Sequence, residues 1–204
     1  MPTWTAIQNK IDRLRALDRT CQVFGADAHE YRLHPTASAA DIEAAETRLG
    51  TSLPKALRTF YTTLGNGVAG PKYGLLPLEK VRAYRPDQPY PGVDYFKTVA
   101  EQEHRGVDEE GYFEIPYDAL QGLLCVIREG CGHKLCLVSS GEDAGTLVHV
   151  SVDGFVHEES YGLRALYEQW LNRNIAALER VDALLDTTLS LDDIDETLKQ
   201  EFGR

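Results

Sequence analysis

Basic residues are in short supply. The chain carries 21 Lys and Arg against 32 Asp and Glu, a formal net charge of −11. Proteins that hold nucleic acid neutralise its phosphates with Lys and Arg, so an acidic balance argues against general nucleic-acid binding. It fits either plain solubility or attraction to a basic protein. Long apolar runs are missing too: no segment approaches the ~20 residues of a membrane span. The start, M-P-T-W-T-A-I-Q-N-K, has no basic region followed by an apolar stretch. The expectation is a cytoplasmic protein with no membrane and no nucleic acid among its partners. Its four cysteines, Cys21, Cys125, Cys131 and Cys136, are then expected to be reduced thiols.

Catalytic and cofactor signatures are also lacking. There is no G-x-x-x-x-G-K-S/T phosphate loop and no G-x-G-x-x-G behind a strand. Ser139-Ser140-Gly141 does not make a G-x-S-x-G elbow. Cys131, His133 and Cys136 offer zinc only three soft ligands, one fewer than a closed structural site holds. If Leu135 faces the core, Cys136 faces the other way. Glu43 and Glu46 lie one helical turn apart, but nothing marks them as acid and base. His149 could orient toward a carboxylate, although a solvent-facing strand histidine is the commoner arrangement. We expect no enzyme, no cofactor and no metal.

What is present is the pattern of one α+β domain. Hydrophobic content of 43% supports a sizeable core. Thr3 can cap a first helix whose stripe is Trp4, Ile7, Ile11, Leu14 and Leu17. Cys21 to Pro35 is irregular, with Cys21, Val23, Phe24, Tyr31 and Leu33 suiting short extended pieces. Ser38 and Asp41 have the spacing of a helix N-cap with its acidic partner, followed by Ile42, Ala45 and Leu49 at helical intervals and Gly50 as a stop. Pro54 opens a second helix with Leu57, Phe60, Tyr61 and Leu64 on one face, ended by Gly65-Asn66-Gly67. Tyr73, Leu75, Leu76 and Leu78 read as a short buried segment.

Leu123–Ile127 is a continuous apolar run, as in a buried strand, and Leu135–Val138 returns after the turn at Gly130-Cys131-Gly132-His133. Val148, Val150 and Val152 alternate with His149 and Ser151, as in a half-buried strand. Asp153-Gly154 is a hairpin turn signal. The longest helix signal runs from Gly162 to Leu185, and Ser190 with Asp193 can cap a last short helix through Ile194, Leu198 and Phe202.

The order Ile42-Glu43, Glu46, Leu49-Gly50, Leu53-Pro54, Leu57, Phe60-Tyr61, Gly65-Asn66-Gly67 and Gly70-Pro71-x-Tyr73-Gly74-Leu75 resembles the SUKH superfamily, the Smi/Knr cell-wall-regulator-like domain. The later Gly130-Cys131-Gly132, the apolar strand, Ser140-Gly141 and the hairpin follow the same pattern, with His133 where an aromatic residue is frequent. The resemblance implies a single SUKH-like domain, with a mixed or mainly antiparallel central sheet and helices packed on it. It also implies a protein-binding role. Many bacterial members look like immunity proteins that neutralise toxins, whereas the eukaryotic relatives suggest a regulatory or scaffold module; for this chain the expectation is a toxin, with a nuclease as one candidate.

We place the domain at residues 1–185, with an acidic insertion near 79–118, and read 186–204 as an acidic C-terminal extension. The insertion interleaves tyrosines and phenylalanines with carboxylates and is broken by Pro86, Pro89, Pro91 and Gly92. Aromatic residues rimmed by carboxylates suit a protein interface, and equally a loop anchored to its own core. The expected partner is a basic toxin domain. The expected contact residues are Tyr95, Asp108, Glu109, Glu110, Tyr112 and Glu114.

Overall fold

The computed structural model describes residues 4–102, 120–151, 156–186 and 199–200. Thr3, the Asp153-Gly154 turn and the C-terminal capping motif lie outside them. Four helices come first: α1 (Trp4–Leu17), α2 (Ala26–His29), α3 (Ala39–Leu49) and α4 (Lys55–Thr63). A single turn of 3-10 helix (Leu78–Lys80) leads into β1 (Arg82–Tyr84), then α5 (Val93–Gln102). Strands β2 (Leu123–Gly130), β3 (His133–Val138), β4 (Thr146–Val150) and β5 (Val156–Gly162) follow, and α6 (Leu163–Asp186) closes the fold. The sheet is an antiparallel meander in the order β1-β2-β3-β4-β5, so the fold is α+β.

The helix signals act as the residues dictate. Ser38 accepts the Asp41 amide while the Asp41 carboxylate takes the Ser38 amide, a reciprocal capping box at the start of α3. Gly50 ends α3 at φ 70, a left-handed angle that costs glycine nothing. Pro54 stands just before α4, and Leu57, Phe60 and Tyr61 are buried on its inner face. Glu46 is a structural residue rather than half of an acid–base pair: it accepts the Leu53 amide at 2.7 Å and pairs with Arg58, tying α3 to α4.

The sheet is covered on both sides. Leu124, Val126, Leu135, Leu137 and Leu147 join α1, α3, α4 and α6 in the main core. Leu123, Cys125, Cys136, Val138, Val148, Val150 and Val156 form a second core on the opposite face with Phe96 of α5 and Leu120. Cys136 therefore does face away from Leu135, but into another apolar layer rather than into water. This explains why Leu123–Ile127 is apolar without a break, as strands buried on both faces are.

Three local expectations are revised. The stretch Cys21 to Pro35 holds α2 and tight turns in place of short strands, apart from a single bridge between Leu33 and Val68. Within 79–118, β1 is an edge strand of the sheet, and α5 packs on the second core, beside β5 at the opposite edge, through fully buried Phe96. Tyr73 is 43% exposed, although Leu75 and Leu78 beside it are buried.

Candidate partner-binding surface

Among the described residues the large apolar side chains left exposed are Phe24, Tyr73 and Tyr95. Phe24 and Tyr73 come from segments about fifty positions apart yet lie together, their ring centroids 5.7 Å apart. The Lys72 ammonium sits 5.3 Å from the Phe24 ring centre, in a cation–π arrangement.

Backbone packing sets this pair. Gly25, at φ 80, lets the Phe24 turn press against the 70–73 loop, and a Cβ there would fall 2.0 Å from the Lys72 carbonyl oxygen. Gly70 is required on the other side, where a Cβ would lie 2.2 Å from the Tyr167 hydroxyl. His29 locks α2 to the same loop. Its Nδ1 accepts the Tyr31 amide at 3.1 Å, so Nε2 carries the proton and donates to the Gly70 carbonyl at 3.1 Å. Burial holds the His29 imidazole below its ordinary pKa, consistent with this neutral form.

Beneath the loop, Asp18 is buried and fully engaged. It accepts the Tyr31 hydroxyl at 2.6 Å and the amides of Gln22 and Val23 at 2.7 and 2.9 Å. Between this platform and α6 runs a groove of about 440 Å³, lined by Phe24, Pro71, Lys72, Leu166, Trp170 and Arg173 among others. Preformed concavity, exposed aromatics and a scaffold this rigid are what an interface hot spot needs.

Tyr73 also reaches the β2–β3 turn, its ring lying against Gly130. Next to Gly130, Glu129 begins an acid–imidazole–acid chain. His149 Nδ1 is 2.9 Å from Glu129 Oε2, and its Nε2 is 2.9 Å from Glu159 Oε1. With a carboxylate on each ring nitrogen, the imidazolium is favoured. The Glu129 hydrogen bond, followed by the two negative charges, raises the His149 pKa against burial. Burial pushes the Glu129 carboxyl up, but the hydrogen bond and charge of His149 outweigh it and hold it below the usual range. His149 is thus a paired histidine, not a lone solvent-facing one.

Of the six contact residues expected from the sequence, Tyr95 is described: it is 40% exposed on α5, with its ring centroid 5.4 Å from that of buried Phe96. Asp108, Glu109, Glu110, Tyr112 and Glu114 lie outside the described residues. Cys131 is exposed in the hairpin turn and Cys136 is buried in the second core, and among the described residues no three metal-ligating side chains gather. Sequence reasoning passed over Phe24 as part of an irregular stretch and set Tyr73 in the core. The available signal was Tyr73 standing between Gly70-Pro71 and Gly74, a loop setting that suits an exposed aromatic.

Comparison with curated proteins gave no match. Residues 36–172 match the family described as SMI1 / KNR4 (SUKH-1). That span runs from just before the α3 capping box to the middle of α6 and includes the Gly70–Leu75 loop and the whole sheet, so the chain belongs to the SMI1/KNR4 (SUKH-1) family.

Proposed function

We propose that the protein is an immunity protein that binds and neutralises a bacterial toxin with a basic surface, a nuclease being one candidate. SUKH-1 membership supports a protein-binding module, and the net charge of −11 supports a basic partner. The observation that carries the reading is Tyr73: a residue in the family-like Gly70–Leu75 loop that displays its ring at the surface beside Phe24, above a groove. Rigid aromatics give large contact area for little ordering cost.

In this proposal the Phe24–Tyr73 platform anchors the partner. Glu129, next to the Gly130 that meets the Tyr73 ring, borders it, and the acidic aromatic insertion, with Tyr95, Asp108, Glu109, Glu110, Tyr112 and Glu114, supplies long-range attraction. The mechanism is occlusion of the toxin's active surface in the cytoplasm, with no catalytic step.

The test is recovery of the partner from native cells by copurification, then co-expression of chain and partner. Protection by the native chain, lost in Phe24→Ala/Tyr73→Ala with the melting temperature unchanged, is the expected result. Copurification without any protection would sink the immunity reading in favour of a regulatory scaffold. Full protection by the double variant would remove the aromatic platform from the interface.

A further inference from the structure

The face of the sheet away from the main helices carries a different feature. At the end nearest the β2–β3 turn lies a cavity of about 370 Å³ lined by Lys80, Arg82, Arg128, His133 and Lys134, with Tyr84, Leu76 and Cys125 as its walls. No carboxylate of a described residue lines it. In a chain where acids outnumber bases 32 to 21, four cations at one concavity are a local reversal of charge.

The register sets these cations close together. Arg128 of β2 is directly opposite Lys134 of β3, and Arg82 of β1 is directly opposite Cys125, on the same face. Like charges directly opposed on an antiparallel ladder destabilise it. Burial lowers the Lys134 ammonium pKa; Cys136 opposes this, and the Arg82 charge lowers it further. The Cys125 thiol is lowered first by its hydrogen bond with Cys136, then by the charges of Arg128 and Arg82. A concavity that gathers cations in an acidic chain is suited to an anion.

We propose that this pocket binds a small phosphoryl anion, a phosphomonoester or diphosphate. Arginine forks match the tetrahedral oxygens of such a group in pairs. The Lys134 ammonium adds a point charge from the next strand, and the Tyr84 ring with Leu76 provides an apolar wall for an attached organic moiety. The cavity volume falls within the range of small-ligand sites, roughly 300–1,000 Å³. Gly130 lines this pocket and also meets the Tyr73 ring, so the pocket is a neighbour of the Phe24–Tyr73 platform; the inference does not rest on the immunity reading.

Inorganic pyrophosphate is the probe, titrated calorimetrically into the full chain at about 0.15 M salt, where exposed charges are screened beyond roughly 8 Å. Saturable binding at one site per chain is expected. Arg128→Gln should weaken it by at least about tenfold, the loss of one charge-assisted contact, while the ligand-free melting temperature stays the same or rises because a like-charge pair has gone. Lys55→Gln, an exposed cation on α4, should bind as the native chain does. Should Arg128→Gln fail to fold, Arg82→Gln on the edge strand carries the same test. Absence of saturable binding, equal affinity in the arginine variant, or an equal loss in Lys55→Gln overturns the site. Citrate binding as tightly as pyrophosphate would overturn the phosphoryl assignment.

Discussion

Two histidines illustrate how far single residues set the response to pH, because they act in opposite directions. His149 has a folded-state pKa raised by Glu129 and Glu159. Its stabilisation is fully present below the unfolded value, about 6.5, and is lost as pH rises through the folded value. His29 has a folded-state pKa lowered by burial. It contributes above about 6.5 and the contribution is lost as pH falls, since protonating Nδ1 ends its hydrogen bond from the Tyr31 amide. His149→Gln should therefore lose most melting temperature, relative to native, near pH 6 and least near pH 8, and His29→Gln should show the reverse order. Parallel pH profiles for the two variants would refute both assignments. Asp18 is a third decisive residue. Asp18→Ala leaves the Tyr31 hydroxyl and two amides without their acceptor, and an unsatisfied buried donor costs about 1–3 kcal/mol, so urea unfolding should show at least that loss.

The informative unit among the elements is α5, since nothing in its sequence promised a second core. The segment before and after it is broken by prolines and glycines, and among its described side chains Phe96 is the one that is buried, not part of a stripe. Phe96 nonetheless closes the far face of the sheet over Leu123, Cys136 and Val148. Phe96→Ala should cost about 3–5 kcal/mol, the range for deleting a buried aromatic ring, and should increase exchange of the β2–β4 amides on that side. A loss under 1 kcal/mol would mean that α5 does not hold the second core. At the other end of the scale, Ser38→Ala removes an exposed cap and should cost only about 1 kcal/mol, since the inner face of α3 keeps Ile42, Ala45 and Leu49 in place.

For the molecule as a whole, charge is the quantity that association should report. Reversing Asp108, Glu109 and Glu110 to Lys changes the formal net charge of −11 to about −5, because each reversal adds two units. Association with a basic partner should slow and its salt dependence should weaken, with the far-ultraviolet spectrum unchanged. An unchanged on-rate in stopped-flow mixing would move the electrostatic contact elsewhere.

The elements were legible where one residue type does one job. Ser38, Gly50, Pro54 and the stripe Leu57, Phe60, Tyr61 announced α3 and α4, and the unbroken Leu123–Ile127 announced a strand without an exposed face. The surface was much less legible. Phe24 meets Tyr73, and Glu129 meets His149 and Glu159, only because distant segments converge. Periodicity reports which side of an element is buried and says nothing about which exposed side chains become neighbours.

The packing of α1 on α6 bears on how the chain is made. Lys10 bonds to Asn172 and Arg13 pairs with Glu179, contacts that span 162 and 166 positions. Ile7, Ile11 and Leu14 share their core with Leu171 and Ile175. During synthesis at about 5–20 residues per second, the first helix must wait roughly ten to thirty seconds for its cover, with an apolar stripe facing water. The five strands, each pairing with the next in sequence, can zip together as they emerge from the ribosome, so the meander forms early and the helical layer is sealed last. A nascent chain stalled before α6 would present that stripe to chaperones, whereas release of the last helix would withdraw it.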